Sequence, residues 1–366
     1  MSESDTSSET KIFRDSNLQG SSSGAPAKLI LLNNQSPGDV TMLTAALRDL
    51  HAGYPGRYQT DVRGKCPDLW LNNPHLTPLS EDDPEVRVIH CRYPLINRSN
   101  DWPYHFLHGF IHFLNRELKL AIRPHAIKGD IHLSEEERRM PSAVETILGM
   151  NVPFWIVTAG GKRDYTIKWW ATERFQAVVD ALRGRVLFVQ VGRDQDHHPA
   201  LRHVLDLRGK TSLRDLVRLI HHSQGVLSPV TAAMHLAAAV PVKAGAPKLR
   251  PCVVVAGGRE PPHWESYPSH QFIHTVGMLS CCESGGCWRK RTLPLGDGSD
   301  RDLPENLCQQ VVEGTLPRCM AMITPEEVVR RIEGYFDGGI IRHLLPDEVS
   351  AVTKAGIWQS QPVSLP

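Results

Sequence analysis

The sequence predicts an α/β protein built from two Rossmann-like domains that face each other across a cleft. Two apolar runs, 27–34 and 152–161, have the composition of buried parallel strands, and each leads through a glycine-containing loop into a helix. Such a unit opens a doubly wound sheet. The length of 366 residues agrees with two domains, because one domain usually takes ~100–200 residues.

Composition and charge exclude several protein classes. The chain is 41% hydrophobic and 22% charged with a net charge of +1, which excludes a broad polyanion-binding surface and a nucleic-acid partner. No apolar run approaches the ~18 residues of a membrane helix, although peripheral membrane contact stays open. Residues 1–26 lack the apolar core of a secretory signal, so we expect a disordered leader and a cytoplasmic protein.

Apolar periodicity places the remaining elements. In the first domain, 27–148, we expect a helix at 40–55, strands at 60–64 and 86–91, and a helix at 102–118. In the second domain, 149–336, we expect strands at 185–192, 225–229 and 250–258 and helices at 169–184, 211–224, 231–240 and 325–336. Residues 337–366 form a C-terminal extension. Ligands bind beyond the carboxyl ends of such strands, which selects loops 33–40, 159–168, 192–199, 228–235 and 256–265.

The motif S-P-G-D-V at 36–40 places a carboxylate at the edge of the predicted cleft. Asp39 lies between a predicted strand and the helix that follows it, so it is positioned to remove a proton from an incoming hydroxyl. An acidic residue at a helix start is also a common cap that the helix dipole stabilises. Both interpretations stay open at this point.

A basic loop and a helix of small residues suggest a phosphate site. The loop between the second apolar strand and the next helix contains Gly161, Lys162 and Lys168. Backbone N–H groups and lysines at a helix start suit a phosphate. A solvated basic loop is the alternative. In S-P-V-T-A-A-M-H at 228–235, Ala232 and Ala233 allow close approach to the helix start, and Thr231 and His235 offer polar groups. A packed, alanine-rich core helix is the alternative there. Asp194 and Asp196 have the spacing of a metal-binding pair, but their context fits a surface turn or a contact to the nucleoside.

Five of the eight cysteines lie between residues 281 and 319. Segment 283–318 is rich in Gly, Pro and charge and has little apolar material to bury, so something else must hold it. We expect a structural Zn or Fe site made by Cys282, Cys287, Cys308 and Cys319, with Cys281 as the substitute for Cys282. Buried free thiols are the alternative.

Taken together, three segments resemble glycosyltransferase family 9, the ADP-heptose:lipopolysaccharide heptosyltransferase group. They are SPGDVTMLTAALRDLHAGYP, TIKWWATERFQAVVDAL and, above all, LRGKTSLRDLVRLIHHSQGVLSPVTAAMHLAAAV. The resemblance covers roughly residues 28–336. It implies a GT-B fold, with the acceptor in the first domain, the donor in the second, and the chemistry between them. The cysteine cluster also resembles iron-containing, protein-modifying branches of the family, although its spacing differs.

The resemblance assigns roles to individual residues. It implies that Asp39 is the general base and that Lys168 neutralises donor phosphate. Val230 departs from the family, which usually has Asp before the Thr, so the placement and identity of the donor stay open. The implied nucleotide-sugar-binding residues are Gly38, Gly161, Lys162, Lys168, Gly192, Ser228, Thr231, Ala232, Ala233 and His235.

The function implied is transfer of a heptose-like sugar, with inversion and without a catalytic metal. The donor is expected to be an ADP-sugar, and the acceptor a hydroxyl of a glycan, a lipid-linked molecule or a protein. The alternative is an inactive adaptor protein of the same fold with a structural metal, for which the Val230 departure speaks.

Overall fold

The computed structural model describes residues 25–359, and two parallel β-sheets organise them. Residues 1–24 of the predicted leader and residues 360–366 of the predicted extension lie outside the described residues. We call the elements up to residue 148 the first half and those from residue 154 onward the second half.

The sheet of the first half has three parallel strands in the order β2-β1-β3. These strands are β1 (Ala27–Asn33), β2 (Tyr58–Gly64) and β3 (Val86–His90). Helix α1 (Pro37–Gly53) follows β1 and buries its apolar residues from Val40 to Leu50. The half is completed by α2 (His108–Leu118), α3 (Glu135–Arg139) and α4 (Ala143–Leu148).

Helix α2 begins six residues later than the sequence predicts. The predicted helix starts at Trp102, whereas the structure is irregular up to Leu107. Pro103 interrupts the pattern, and the N–H of Phe106 donates to the carbonyl oxygen of Trp264 in the second half at 2.7 Å. A contact between the halves therefore replaces the first helical turn.

The sheet of the second half has six parallel strands in the order β6-β5-β4-β7-β8-β9. They are β4 (Phe154–Val157), β5 (Leu187–Gln190), β6 (Leu205–Asp206), β7 (Gly225–Pro229), β8 (Cys252–Gly257) and β9 (His270–His274). From the centre of the sheet, β4, β5 and β6 follow one another towards one edge, and β7, β8 and β9 follow one another towards the other edge. This is the strand order of a Rossmann sheet. Its topological switch point lies between β4 and β7, so ligands are expected there.

Helices cover both faces of the second sheet. They are α5 (Thr172–Leu182), α6 (Leu213–His222), α7 (Ala232–Ala239), α8 (Pro262–Glu265), α9 (Arg318–Ala321) and α10 (Pro325–Asp337). Ser212 caps α6, and Thr324 caps α10 directly before Pro325 at its first position. A short hairpin, β10 (Val311–Val312) and β11 (Leu316–Pro317), lies in the cysteine-rich segment.

One apolar cluster runs through both halves. It joins Leu43 and Leu47 of α1 to Met234 and Leu236 of α7, and α1 packs directly against α7. The predicted C-terminal extension contains α11 (Pro346–Lys354), whose Val352 is fully buried against this cluster. Between residues 25 and 359, no helix has the length and apolar character needed to span a membrane.

Candidate active site

The carboxyl end of β1 and the switch point of the second sheet meet between the two halves. The ammonium group of Lys162, in the loop after β4, donates a hydrogen bond to the hydroxyl of Ser36, the residue before α1, at 2.7 Å. Lys162 and Ser36 are far apart in the sequence, so this contact is a product of the fold. It brings the 36–40 motif and the basic loop into one site.

Asp39 lies in the first turn of α1 beside this contact. Its carboxylate accepts a hydrogen bond from the N–H of Ser36 at 3.1 Å. Asp39 is therefore part of the cap of α1, which was one of the two interpretations of the sequence. Burial raises the pKa of the carboxyl, while Lys168 and Lys162 pull it back down. Asp39 is therefore a desolvated carboxylate that faces two cations of the other half.

Glycines shape the loops that follow β4 and β5 at the switch point. Gly160 has φ +151°, and a Cβ there would lie 1.9 Å from the carbonyl oxygen of His197. Gly161 and His197 exchange backbone hydrogen bonds, which ties the loop after β4 to the loop after β5. Trp169 stacks on His197 with ring centroids 4.0 Å apart, and its indole Nε1 has no hydrogen-bond partner among the described residues. Gly192 allows the ring of His198 to fill the space of a Cβ.

Lys168 enters a buried charged cluster. Its ammonium group lies 2.8 Å from Oε1 of Glu260, and Arg259 contacts the same oxygen. The guanidinium of Arg259 stands over the rings of Tyr165 and Trp288, 5.0 and 5.1 Å from their centroids. Burial lowers the pKa of Lys168, and Arg259 lowers it further.

Helix α7 begins at the switch point with its predicted cap. The hydroxyl of Thr231 accepts the N–H of Ala233 at 3.4 Å and bonds the hydroxyl of Ser228 at 2.8 Å. Ser228 is fully buried and also accepts the hydroxyl of Thr158, so its group is occupied within the protein. Thr231 and Ala232 are half-buried, whereas Ala233 is buried.

His235 and Val230 have inward-facing environments. The Nδ1 atom of His235 bonds the hydroxyl of Tyr267 at 2.6 Å, and its ring fills the space beside Gly38 in α1. Burial lowers the pKa of His235 well below its usual value, which favours a neutral ring. Val230 is 4% exposed and belongs to the apolar cluster. We therefore leave both side chains out of the phosphate-binding group: His235 connects α7 to α1 instead.

Sequence reasoning missed the charged residues that follow β8. It selected loop 256–265 as part of the cleft edge but named no residue in it. The structure buries Arg259, Glu260 and Glu265 there, each below 7% exposure. Burial raises the pKa of Glu265, and the nearby charge of Asp39 adds to this effect. The sequence did contain a signal for these residues: two carboxylates lie within G-G-R-E-P-P-H-W-E, directly after a buried strand.

Cys308 influences the titration of three other thiols in the cysteine-rich segment. Burial raises the pKa values of Cys281, Cys287 and Cys319, and in each case a charge on Cys308 raises them further. Cys282, which we predicted as a ligand, instead directs its thiol to the carbonyl oxygen of Thr275 at 3.5 Å. In residues 25–359, as placed, no group of three or more His, Cys, Asp or Glu side chains is arranged to hold a metal ion.

The same segment is attached to the first half. The side chain of Asn100 donates to the carbonyl oxygen of Gly286 and accepts its N–H, both at 2.8 Å. The indole of Trp288 donates to the hydroxyl of Ser99 at 3.0 Å. The cysteine-rich segment thus contacts the irregular stretch before α2.

Comparison with known proteins gives this site a context. Residues 102–244 match the model of glycosyltransferase family 9 (heptosyltransferase). A search of curated proteins found no match.

Several solved structures share the fold at low sequence identity. A glycosyltransferase of family 9 from Veillonella parvula DSM 2008 has a TM-score of 0.56 and 13% identity, over 85% of this chain and 98% of that one. The ADP-heptose lps heptosyltransferase II of E. coli has a TM-score of 0.54 and 15% identity, over 86% of this chain and all of that one. The dodecameric iron-containing heptosyltransferase TibC, solved with ADP-D-beta-D-heptose, has a TM-score of 0.56 and 14% identity, over 86% of this chain and 77% of that one.

The matched family segment includes Lys162, Lys168 and the start of α7, and the similar structures extend the fold agreement to both halves. The resemblance to glycosyltransferase family 9 predicted from the sequence is confirmed over residues 102–244, and the similar structures confirm the predicted fold of two Rossmann-like halves.

Proposed function

We propose that the protein transfers a heptose-like sugar from an ADP-sugar to an acceptor hydroxyl, with inversion and without a catalytic metal. The observation that carries the proposal is the position of Asp39, a desolvated carboxylate that faces Lys162 and Lys168 beside the switch point. A base next to fixed positive charge is what the displacement of a diphosphate requires.

The reaction is a single displacement. Asp39 accepts the proton of the acceptor hydroxyl while its oxygen attacks the anomeric carbon. The bond from that carbon to the diphosphate breaks, and its electron pair leaves with the nucleoside diphosphate. Lys168, Lys162 and the positive N-terminal end of the α7 dipole stabilise the negative charge of this leaving group. One displacement inverts the configuration at the anomeric carbon.

The donor and the acceptor occupy different halves in this proposal. TibC was solved with ADP-D-beta-D-heptose, and we carry this donor class over to the second half, residues 149–336. The acceptor hydroxyl, on a glycan, a lipid-linked molecule or a protein, approaches from the first half, residues 27–148. A cytoplasmic location, peripheral membrane contact and a role in lipopolysaccharide biosynthesis stay predictions.

The test is release of ADP from ADP-heptose by the purified protein, with or without added acceptor. Turnover by the wild type that is lost in Asp39→Asn supports the enzyme. Tight binding of ADP-heptose without any turnover would instead favour the adaptor protein, for which the apolar environment of Val230 is the specific observation.

We also propose a structural metal site in the cysteine-rich segment, with Cys281, Cys287, Cys308 and Cys319 as ligands. The electrostatic influence of Cys308 on Cys281, Cys287 and Cys319 supports the set, and the contact of Cys282 with Thr275 removes Cys282 from our first choice. Four thiolates suit Zn²⁺ or iron. A small rearrangement of side chains must accompany binding, because the described thiols are not yet arranged around a common centre.

A further inference from the structure

Glu260, the carboxylate of a buried ion pair with Lys168, has no role in the mechanism above. The carboxylate of Glu260 is 3% exposed, and its Oε1 atom lies 2.8 Å from the ammonium group of Lys168. Arg259 contacts the same oxygen. The second oxygen, Oε2, has no hydrogen-bond partner among the described residues. One carboxylate oxygen therefore serves two cations at the edge of the donor site.

We propose that Glu260 is a positioning residue of the donor site, which holds Lys168 in place and keeps its ammonium group protonated. Its importance for catalysis rests on the proposed function, because only there does Lys168 meet the donor phosphates. The inference about the ion pair itself rests on the contacts of Glu260 alone.

Burial explains why Lys168 needs such a partner. A buried ammonium group loses most of its hydration, and the neighbouring Arg259 repels it. An opposite charge in direct contact compensates for both effects. The planar guanidinium of Arg259 is held between Tyr165 and Trp288, so the carboxylate is fixed from a second side and cannot follow Lys168 into solvent.

The other charged groups around Lys168 do not replace Glu260. They are Glu265 of α8, Tyr165 of its own loop, Asp39 of α1 and the ring of His235 in α7. Burial raises the pKa values of Glu265 and Asp39, and among the described residues Glu260 is the carboxylate in ion-pair contact with Lys168. His235 is neutral, and Arg259 is repulsive.

The experiment measures the protonation of Lys168 directly. The protein is labelled with acetic anhydride in brief pulses between pH 6 and pH 11, and mass spectrometry follows acetylation of the peptide that contains Lys168. We expect the midpoint of labelling to fall by about one pH unit or more in Glu260→Gln, because a charge in contact typically shifts a pKa by this amount. An unchanged or raised midpoint overturns the proposal.

A matched control separates this effect from general loss of stability. Glu348→Gln removes another buried carboxylate from an ion pair, with Arg342, near the C-terminus. Its Lys168 midpoint should equal that of the wild type. If Glu260→Gln does not fold, Glu260→Asp keeps the charge but withdraws it by one methylene group. A smaller fall in the same direction is then expected, and no fall contradicts the proposal.

ADP binding distinguishes failure of this inference from failure of the proposed function. If both hold, the ADP affinity declines as the pH rises and Lys168 loses its proton. In Glu260→Gln this decline begins at a lower pH than in the wild type, by the same shift as the labelling midpoint. A shifted midpoint in a protein that binds no ADP overturns the proposed function and leaves the ion pair supported. Wild-type ADP binding with an unshifted midpoint overturns the positioning role alone.

Discussion

The ammonium group of Lys162 donates a hydrogen bond to the hydroxyl of Ser36, and this 2.7 Å contact joins the two halves of the molecule three residues before Asp39. The N–H of Ser36 is in turn bound by the Asp39 carboxylate. Ser36 therefore links Lys162 of the second half to Asp39 of the first half. The positions of the Lys162 ammonium group and the Asp39 carboxylate therefore depend on the same residue.

The first prediction concerns the base itself. Asp39→Asn keeps the size of the side chain but cannot take up a proton at neutral pH. We expect ADP release to slow by ~10²–10⁴-fold, the usual contribution of general base catalysis, with donor affinity nearly intact. Steady-state kinetics and calorimetry measure the two quantities. Turnover at the wild-type rate would remove Asp39 from the mechanism.

The second prediction concerns the pH dependence of the rate. Asp39 must be ionised to act, so activity falls as the pH drops through its pKa, which burial raises and Lys162 lowers. Lys162→Met removes the lowering charge, so the acidic limb of the pH–rate profile should move to higher pH. Ser36→Ala is the control, because it breaks the contact but keeps the Lys162 charge and the Ser36 N–H. Identical limbs in Lys162→Met and wild type would contradict the assignment.

The third prediction compares two contacts to the diphosphate. Lys168→Ala removes a charged donor, worth ~1.5–3 kcal/mol, which corresponds to roughly 10–100-fold weaker ADP binding. Thr231→Val removes a neutral group, worth ~0.5–1.5 kcal/mol, and should weaken binding less. Because Thr231 also caps α7, its variant should lose about 1 kcal/mol of stability as well. Unchanged ADP affinity in both variants would move the donor site elsewhere.

The fourth prediction uses two glycines of the same helix. A Cβ at Gly38 would lie 2.9 Å from the ring of His235, which Tyr267 holds in place. Gly38→Ala should therefore lower the melting temperature and the rate, although alanine is usually better than glycine in a helix by up to about 1 kcal/mol. Gly53→Ala is the control, since nothing lies within 4 Å of its Cβ. Equal stability of the two variants would show that α1 and α7 adjust freely.

The fifth prediction concerns metal in protein prepared without a metal-affinity tag. Elemental analysis should find about one equivalent of Zn or Fe. Cys308→Ser and Cys281→Ser should lose it together with thermal stability, whereas Cys282→Ser should keep it, because that thiol faces Thr275. A folded, metal-free wild type with titratable thiols at these positions would return the cysteines to ordinary buried residues.

Much of the second half was predictable because its pattern is local. The apolar runs around Phe154 and Val226 and the helix start at Pro325 depend on neighbours in the sequence, and the structure places strands and a helix start there. The short strand β6 and the edge strand β9 were not predicted from the sequence. They have two and five residues, some of them polar, so their hydrophobic periodicity is weak.

The charged cluster was not predictable, for a physical reason. Glu260 meets Lys168 across 92 positions of sequence, and only the completed sheet brings the loops after β4 and β8 together. A loop composition can show that carboxylates are present but not which cation they meet. The same limit explains His235, whose partners Tyr267 and Gly38 come from other elements.

The reciprocal pair between Asn100 and Gly286 has a mechanical consequence. Gly285 has φ +156°, and a Cβ there would lie 2.4 Å from the Asn100 side chain, so any other residue would push this attachment apart. Rotation of one half against the other must either break these two hydrogen bonds or drag the cysteine-rich segment along. That segment therefore links the two halves mechanically, and whatever stiffens it also restricts the rotation of one half against the other.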